Sequence, residues 1–248
     1  MAGRKKAASG WQGSWARAVV PPGYARAVFT LTGTSPLLMN SSEYDRSSRH
    51  YRTFVLLGRK RGKSLDDQER LLELEWELAL YFDEEIGPYV PGRNVKELLR
   101  SAATKFRKGE DVKRSLVVME TRLPLLYDGP RDRAGLRDAG YHYDAMVANA
   151  GPNSGRVDRR RPCFPEWALV AELAYDPEDL DLDLLGLVAE RTQKYGLGDY
   201  RPNFGAFMAD LTPGELHKAG ANGADPIPRK VLEERAHEAA RKRIEVSA

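Results

Sequence analysis

Residues 87–106 read Gly-Pro-Tyr-Val-Pro-Gly-Arg-Asn-Val-Lys-Glu-Leu-Leu-Arg-Ser-Ala-Ala-Thr-Lys-Phe. The opening Gly-Pro-Tyr-Val-Pro-Gly predicts a rigid loop, because proline presets φ and glycine supplies the turn. A helix follows: Val95, Leu98, Leu99, Ala102, Ala103 and Phe106 recur at the spacing of one helical face. Its other face carries Lys96, Arg100, Lys105 and Arg107. Upstream, Tyr24–Thr34 (YARAVFTLTGT) alternates apolar and polar residues and reads as a strand. Residues 40–63 are polar, basic and glycine-containing, and read as a long loop. Ser64 before Asp66 and Asp67 is a helix start, so a helix over about 65–77 is expected, giving way to a short strand near 79–82. Downstream, 115–127 is rich in strand formers and stops at the turn Asp128-Gly129-Pro130. The first unit is therefore strand, long insertion, helix, strand.

A second unit repeats the order. Phe164–Tyr175 reads as a strand, and Asp176-Pro177 as a turn. Leu180–Tyr195 reads as a helix with Leu184, Leu187 and Val188 inward and Gly196 just past its end. Phe204–Leu211 is a last strand. Two such βαβ units predict an α+β protein of ferredoxin-like, RRM-type architecture over 23–211, with an insertion at 40–86 and an excursion at 129–163. Residues 1–22 read as a flexible basic arm, and 212–248 as a charged tail or helix.

Composition excludes several functions. The 248 residues are 42% apolar and 30% charged, with a net charge of +3. A single cysteine, Cys163, and four scattered histidines build neither a disulfide nor a zinc site, so no metal is expected. There is no P-loop, and Gly196-x-Gly198 follows a helix and precedes a strand, the reverse of a dinucleotide fingerprint. No cofactor is expected. No signal-peptide pattern and no run of roughly 18 apolar residues is present, which predicts no membrane association and a reducing, cytoplasm-like setting.

The charge is strongly segregated. No acid precedes Glu43; residues 43–63 carry seven bases against two acids, and 64–86 carry nine acids against Arg70 alone. Residues 172–190 hold seven acids and no base. This suggests a basic face for phosphate and an acidic face turned away from it. The candidate nucleic-acid contacts are Arg46, Arg49 and Arg52 in the first loop, beside His50 and Tyr51. Arg93, Lys96 and Arg100 surround a helix start. Arg156, Arg159, Arg160 and Arg161 fall in the excursion, where they either coat the surface or bind a polyanion. Tyr200 and Arg201 flank the glycine pair, which is either a tight turn or a close approach to a phosphate. Asp45, His50 and His142 are the available acid–base groups. They form no recognisable catalytic spacing, so a binding protein is expected rather than an enzyme.

Three segments carry a resemblance. Residues 88–102 resemble the Pro-Gly-Ser-Ser-Leu-Lys-Gly-Leu-Arg type motif of the RAMP superfamily, the backbone and processing subunits of CRISPR effector complexes. Residues 196–207 (GLGDYRPNFGAF) resemble its C-terminal glycine-rich loop, and 31–38 (LTGTSPLL) its first strand and following turn. Glu97 stands where that motif has glycine, and Ala206 follows Gly205 where many members continue a G-x-G-x-G. The span 24–211 is also similar to a set of uncharacterised bacteriophage proteins, notably at 159–167 (RRRPCFPEW) and 196–202. The resemblance implies binding of single-stranded RNA or DNA with low sequence specificity and assembly along the strand as a homo-oligomer or filament. It makes 139–163 the candidate thumb and Asp45 the counterpart of a cleaving acid. An endoribonuclease of the CRISPR RNA-processing type and a phage structural or scaffold protein are the alternatives.

Overall fold

A strand that sends Ala25, Ala27, Phe29 and Leu31 into the core from every second position organises the fold. The computed structural model describes residues 18–148 and 156–214, so the arm's first 17 residues and the tail beyond 214 lie outside it. In chain order the elements begin with β1 (Ala25–Gly33), β2 (Leu37–Leu38), α1 (Arg49–Arg59), α2 (Leu65–Ala79), β3 (Phe82–Asp83) and β4 (Gly87–Pro91). Then come α3 (Gly92–Ala103), α4 (Gly109–Ser115), β5 (Leu116–Val118), β6 (Arg122–Pro124) and α5 (Arg133–Asp138). The chain continues through β7 (His142–Ala148), β8 (Arg156–Phe164), β9 (Ala168–Tyr175), α6 (Leu182–Thr192) and β10 (Phe207–Pro213).

The main sheet has the order β10-β1-β9-β5, with every neighbouring pair antiparallel. Hence β1 and β5 run the same way, joined through α3, and β9 and β10 run the other way, joined through α6. That is the split βαβ, ferredoxin-like arrangement. Ala25, Ala27, Phe29 and Leu31 point to the side of α3 and α6 and enter the core with Leu98, Leu99, Leu185 and Val188. The period-two alternation of a strand puts Arg26, Val28, Thr30 and Thr32 on the opposite face. An RRM stacks bases on aromatics of the corresponding face. Here its β1, β5, β9 and β10 positions carry no aromatic residue, and a buried Arg26–Glu172 ion pair crosses it. Bases have no stacking platform there.

Several local expectations change. Residues 49–59, read as loop, form α1: the half-buried Tyr51, Phe54 and Val55 recur at helical spacing, and Ser48 caps the start by accepting from the Tyr51 N–H. Gly87–Pro91, read as a rigid loop, is β4, pairing with β6. The helix beginning there starts at Gly92, three residues earlier than expected. The single strand expected over Phe164–Tyr175 is two, since Phe164 closes β8 and β9 starts at Ala168. On α6, Leu185 is buried and Leu187 is 52% exposed, so the inward face is rotated from the expected one. The Ser64 cap is as expected, with a full capping box to Asp67. The hydrogen bonds of Lys60 and Ser64 to Asp67 hold its carboxyl down to about 2.

The excursion holds α5 and an antiparallel β7/β8 hairpin, in register from His142 opposite Pro162 to Ala148 opposite Arg156. Its central residues, 149–155, lie outside the described ones. Among the described residues no helix is long and apolar enough to cross a membrane. Leu99 of α3 is fully buried in the core. Leu99→Ala should therefore lower unfolding free energy by about 2–5 kcal/mol in urea titration, as cavity formation at a core leucine does.

Candidate nucleic-acid interface

The three segments that resemble one family meet at one cleft. Its volume is about 490 Å³. Leu37, Leu38 and Met39 form one wall, Asn94, Glu97, Leu98 and Ser101 of α3 a second, and the loop 195–201 a third. The loop is tied down by main-chain bonds: Asp199 N–H to Leu38 O at 2.9 Å, Gly205 N–H to Pro36 O at 2.8 Å and Leu197 N–H to Gly205 O at 2.8 Å. Gly198 (φ 84°) and Gly205 (φ 68°) make this seating possible. A Cβ at Gly198 would lie 2.3 Å from Leu38 O, and one at Gly205 1.6 Å from Leu197 O. The close approach these glycines allow is to the chain's own backbone, which is the tight-turn alternative.

An aromatic cluster stands beside the cleft. Phe204 lies 4.9 Å from Tyr143 of β7 and 6.4 Å from Tyr200, centroid to centroid. Tyr143 remains 38% exposed. Arg201, exposed on the same loop, lines the cleft and has no ion pair among the described residues. Tyr143 and Phe204 were not singled out from the sequence. Only the hairpin register, which carries Tyr143 to the loop, brings them together.

The arginine run has a different fate. Glu75 of α2 accepts from Arg159 and Arg161 at 2.8 Å each and from the Arg160 N–H at 3.3 Å. Arg161 also donates to Asp199 at 3.1 Å, joining the hairpin to the cleft loop. Arg160 binds its cross-strand partner Asp144 and also Glu69. Burial alone would lower the Arg161 pKa; Glu75 and then Asp199 outweigh it and hold the charge on. The Arg160 hydrogen bond in turn pulls Asp144 below its ordinary value. The acidic block of α2 thus faces the basic hairpin instead of pointing away, correcting the charge-face expectation. Surface exposure or a polyanion is what the arginine run suggests by itself; in the structure it is helix α2 that pairs with these arginines.

The remaining candidates divide. Arg93 pairs with Glu43 at 2.8 Å, and Arg100 with Glu97. Lys96 is half-buried, which lowers its pKa, and has no ion pair among the described residues. On α1, Arg49 and Arg52 lie on the exposed side with Leu56 and Arg59, and Arg46 is exposed just before the helix. Tyr44 and Tyr51 stack beside them, 5.3 Å apart and 18° from parallel. Arg156 is exposed at the far end of β8. Asp45 and His50 line a smaller cavity of about 190 Å³ with Glu43, Glu77 and Tyr89; His142, on β7, does not. The Ser47 hydroxyl and N–H hold Asp45 below its ordinary pKa, and His50 Nδ1 lies 3.4 Å from Glu77. Among the described residues no three His, Cys, Asp or Glu side chains gather as a metal site.

Comparison with solved structures finds similarity to a chain of the cryo-EM structure of the Type III-B Cmr-beta bound to cognate target RNA. The identity is 12%, with 79% of this chain and 62% of that chain covered and a TM-score of 0.49. This chain thus spans less than two thirds of that one. The crystal structure of Cmr6 from Pyrococcus furiosus is also similar, at 10% identity, with 78% and 99% covered and a TM-score of 0.34. No protein-family model matches the chain. No curated protein matches it.

The hydrogen-bonded, buried Glu75 invites a direct test. Glu75→Gln keeps the shape and leaves two arginines without their shared charge. It should cost about 3 kcal/mol in urea titration, at the scale of breaking a buried ion pair. Arg156→Ala, at an exposed position, should stay within about 0.5 kcal/mol.

Proposed function

We propose that the protein binds single-stranded nucleic acid along the face that carries the cleft loop and the β7/β8 hairpin. The observation that carries this reading is the half-exposed cluster of Tyr143, Tyr200 and Phe204 beside Arg201. Aromatic rings accept any base as a stacking partner, and a neighbouring guanidinium without an ion pair serves a phosphate. Stacking on such rings needs unpaired bases, which favours a single strand over a duplex. The exposed Arg46, Arg49 and Arg52, with the stacked Tyr44–Tyr51 pair, supply a second cationic stretch for the backbone. Arg159, Arg160 and Arg161 hold the hairpin in place in this reading, and the strand runs past them. Binding over cleavage is favoured by Asp45, whose carboxylate is occupied by Ser47 and weakened as a base. Assembly of several copies along one strand is part of the proposal, with the domain core at 23–211.

Fluorescence anisotropy with labelled single-stranded RNA, single-stranded DNA and duplex of equal length, across a salt series, tests it. The single strands should bind more tightly than the duplex, with affinity falling steeply as salt rises. Arg201→Ala should reduce the slope of log K against log salt by about 0.7, the value for one lost phosphate contact on a single strand. Tyr143→Ala should cost about 1–3 kcal/mol of binding. Absence of binding to all three at low salt would refute the reading, as would equal affinity for duplex.

A further inference from the structure

The cleft beside the aromatic cluster has a chemistry of its own. Its ionisable walls are Glu97, Asp199 and Arg201. Each carboxylate is already paired, Glu97 with Arg100 and Asp199 with Arg161, so its charge is compensated while lone pairs remain for a further donor. The carboxylates are also held in fixed orientation: Arg100 Nε donates to Glu97 at 2.8 Å, and Asp199 accepts from Arg161 at 3.1 Å and from the Tyr200 N–H at 3.0 Å. The Arg100 hydrogen bond keeps Glu97 below its ordinary pKa, hence ionised near neutrality. The other walls mix apolar side chains, Leu38 and Leu98 among them, with the hydroxyls of Tyr81, Ser101 and Tyr195 and the amides of Asn40 and Asn94. A cavity of about 490 Å³ lies in the size range of small-ligand sites.

The ligand that suits these walls is flat, uncharged, apolar on its faces and rich in N–H donors at its edge. Resting on the proposed single-strand binding, we propose that the cleft receives one unstacked nucleobase bearing an exocyclic amine, with the Glu97 carboxylate accepting from that amine. Cytosine, with its N4 amine, satisfies a carboxylate acceptor. Uracil presents a carbonyl oxygen at the same position, so two hydrogen-bond acceptors would face each other with no proton between them. Glu97 stands at the place where the resembled motif has glycine, so this chain carries an acceptor that the motif itself does not supply. The consequence is base preference at one position in an otherwise sequence-tolerant contact.

The test compares labelled oligo(C) and oligo(U) of equal length by anisotropy at one salt concentration, for the full chain and for Glu97→Gln and Asn94→Ala. Cytosine and uracil differ at this edge while both remain pyrimidines, so the pair isolates the amine. The unsubstituted chain should bind oligo(C) about tenfold more tightly than oligo(U). Glu97→Gln should reduce that ratio severalfold by raising oligo(U) affinity and lowering oligo(C) affinity, and Asn94→Ala should reduce it to a lesser degree. Equal affinity for the two oligomers would overturn the base pocket and leave single-strand binding standing. A preference unchanged in Glu97→Gln would move recognition away from this cleft and also overturn it. Absence of binding to either oligomer would remove the underlying reading and the pocket together.

Discussion

Glu75 is the pivot of the candidate site. It is 7% exposed, lies on α2, and holds Arg159 and Arg161 of β8 at once. A buried carboxylate is costly unless its charge is compensated and its oxygens are bonded, and two guanidiniums with one main-chain N–H meet both needs. Arg161 passes the constraint on to Asp199, whose own N–H is fixed to Leu38. Through that chain of contacts the insertion helix α2, the hairpin and the loop 195–201 become one surface. Tyr143, Tyr200, Phe204 and Arg201 owe their shared location to it.

The charge pattern follows the same logic. Glu69 and Glu75, two of the nine acids of 64–86, lie 84 to 91 positions before the β8 arginines they pair with and are joined to them in space. Intramolecular pairing neutralises the arginine run of β8, and among the described residues the cations without ion pairs include Arg49 and Arg52 on α1, Lys96 on α3, and Arg201. A blocky sequence therefore yields a surface whose exposed charge is sparser and more local than composition suggests. The face of the main sheet turned from α3 and α6 carries a buried ion pair of its own, Arg26 with Glu172.

How far the sequence spoke can be argued element by element. The α3 period was legible because Val95, Leu98, Leu99, Ala102 and Ala103 are all buried on one helical face, and the Ser64 cap because side-chain capping is a local event. The order of two βαβ units led to the ferredoxin-like sheet. The α1 helix was hidden by its arginines and glycine, which read as loop composition although its apolar residues recur at helical spacing; none of its residues is fully buried. Pro88 and Pro91 disguised β4 as a turn, since prolines are disfavoured in strands except where the ladder is short or at an edge. The cleft's three segments were each noticed separately, but their meeting was not, because no local rule carries the distance between 38, 97 and 199. The pairing of Glu75 with β8 was invisible for the same reason.

The most direct test of the central claim is ultraviolet crosslinking of a single-stranded oligonucleotide to the full chain, followed by peptide mapping of the adducts. The account predicts adducts on Tyr143 and within 195–207, with further adducts near Tyr44 and Tyr51. Adducts confined to the acidic stretch 172–190, or absent from both the hairpin and the 195–207 loop while the oligonucleotide is bound, would contradict it.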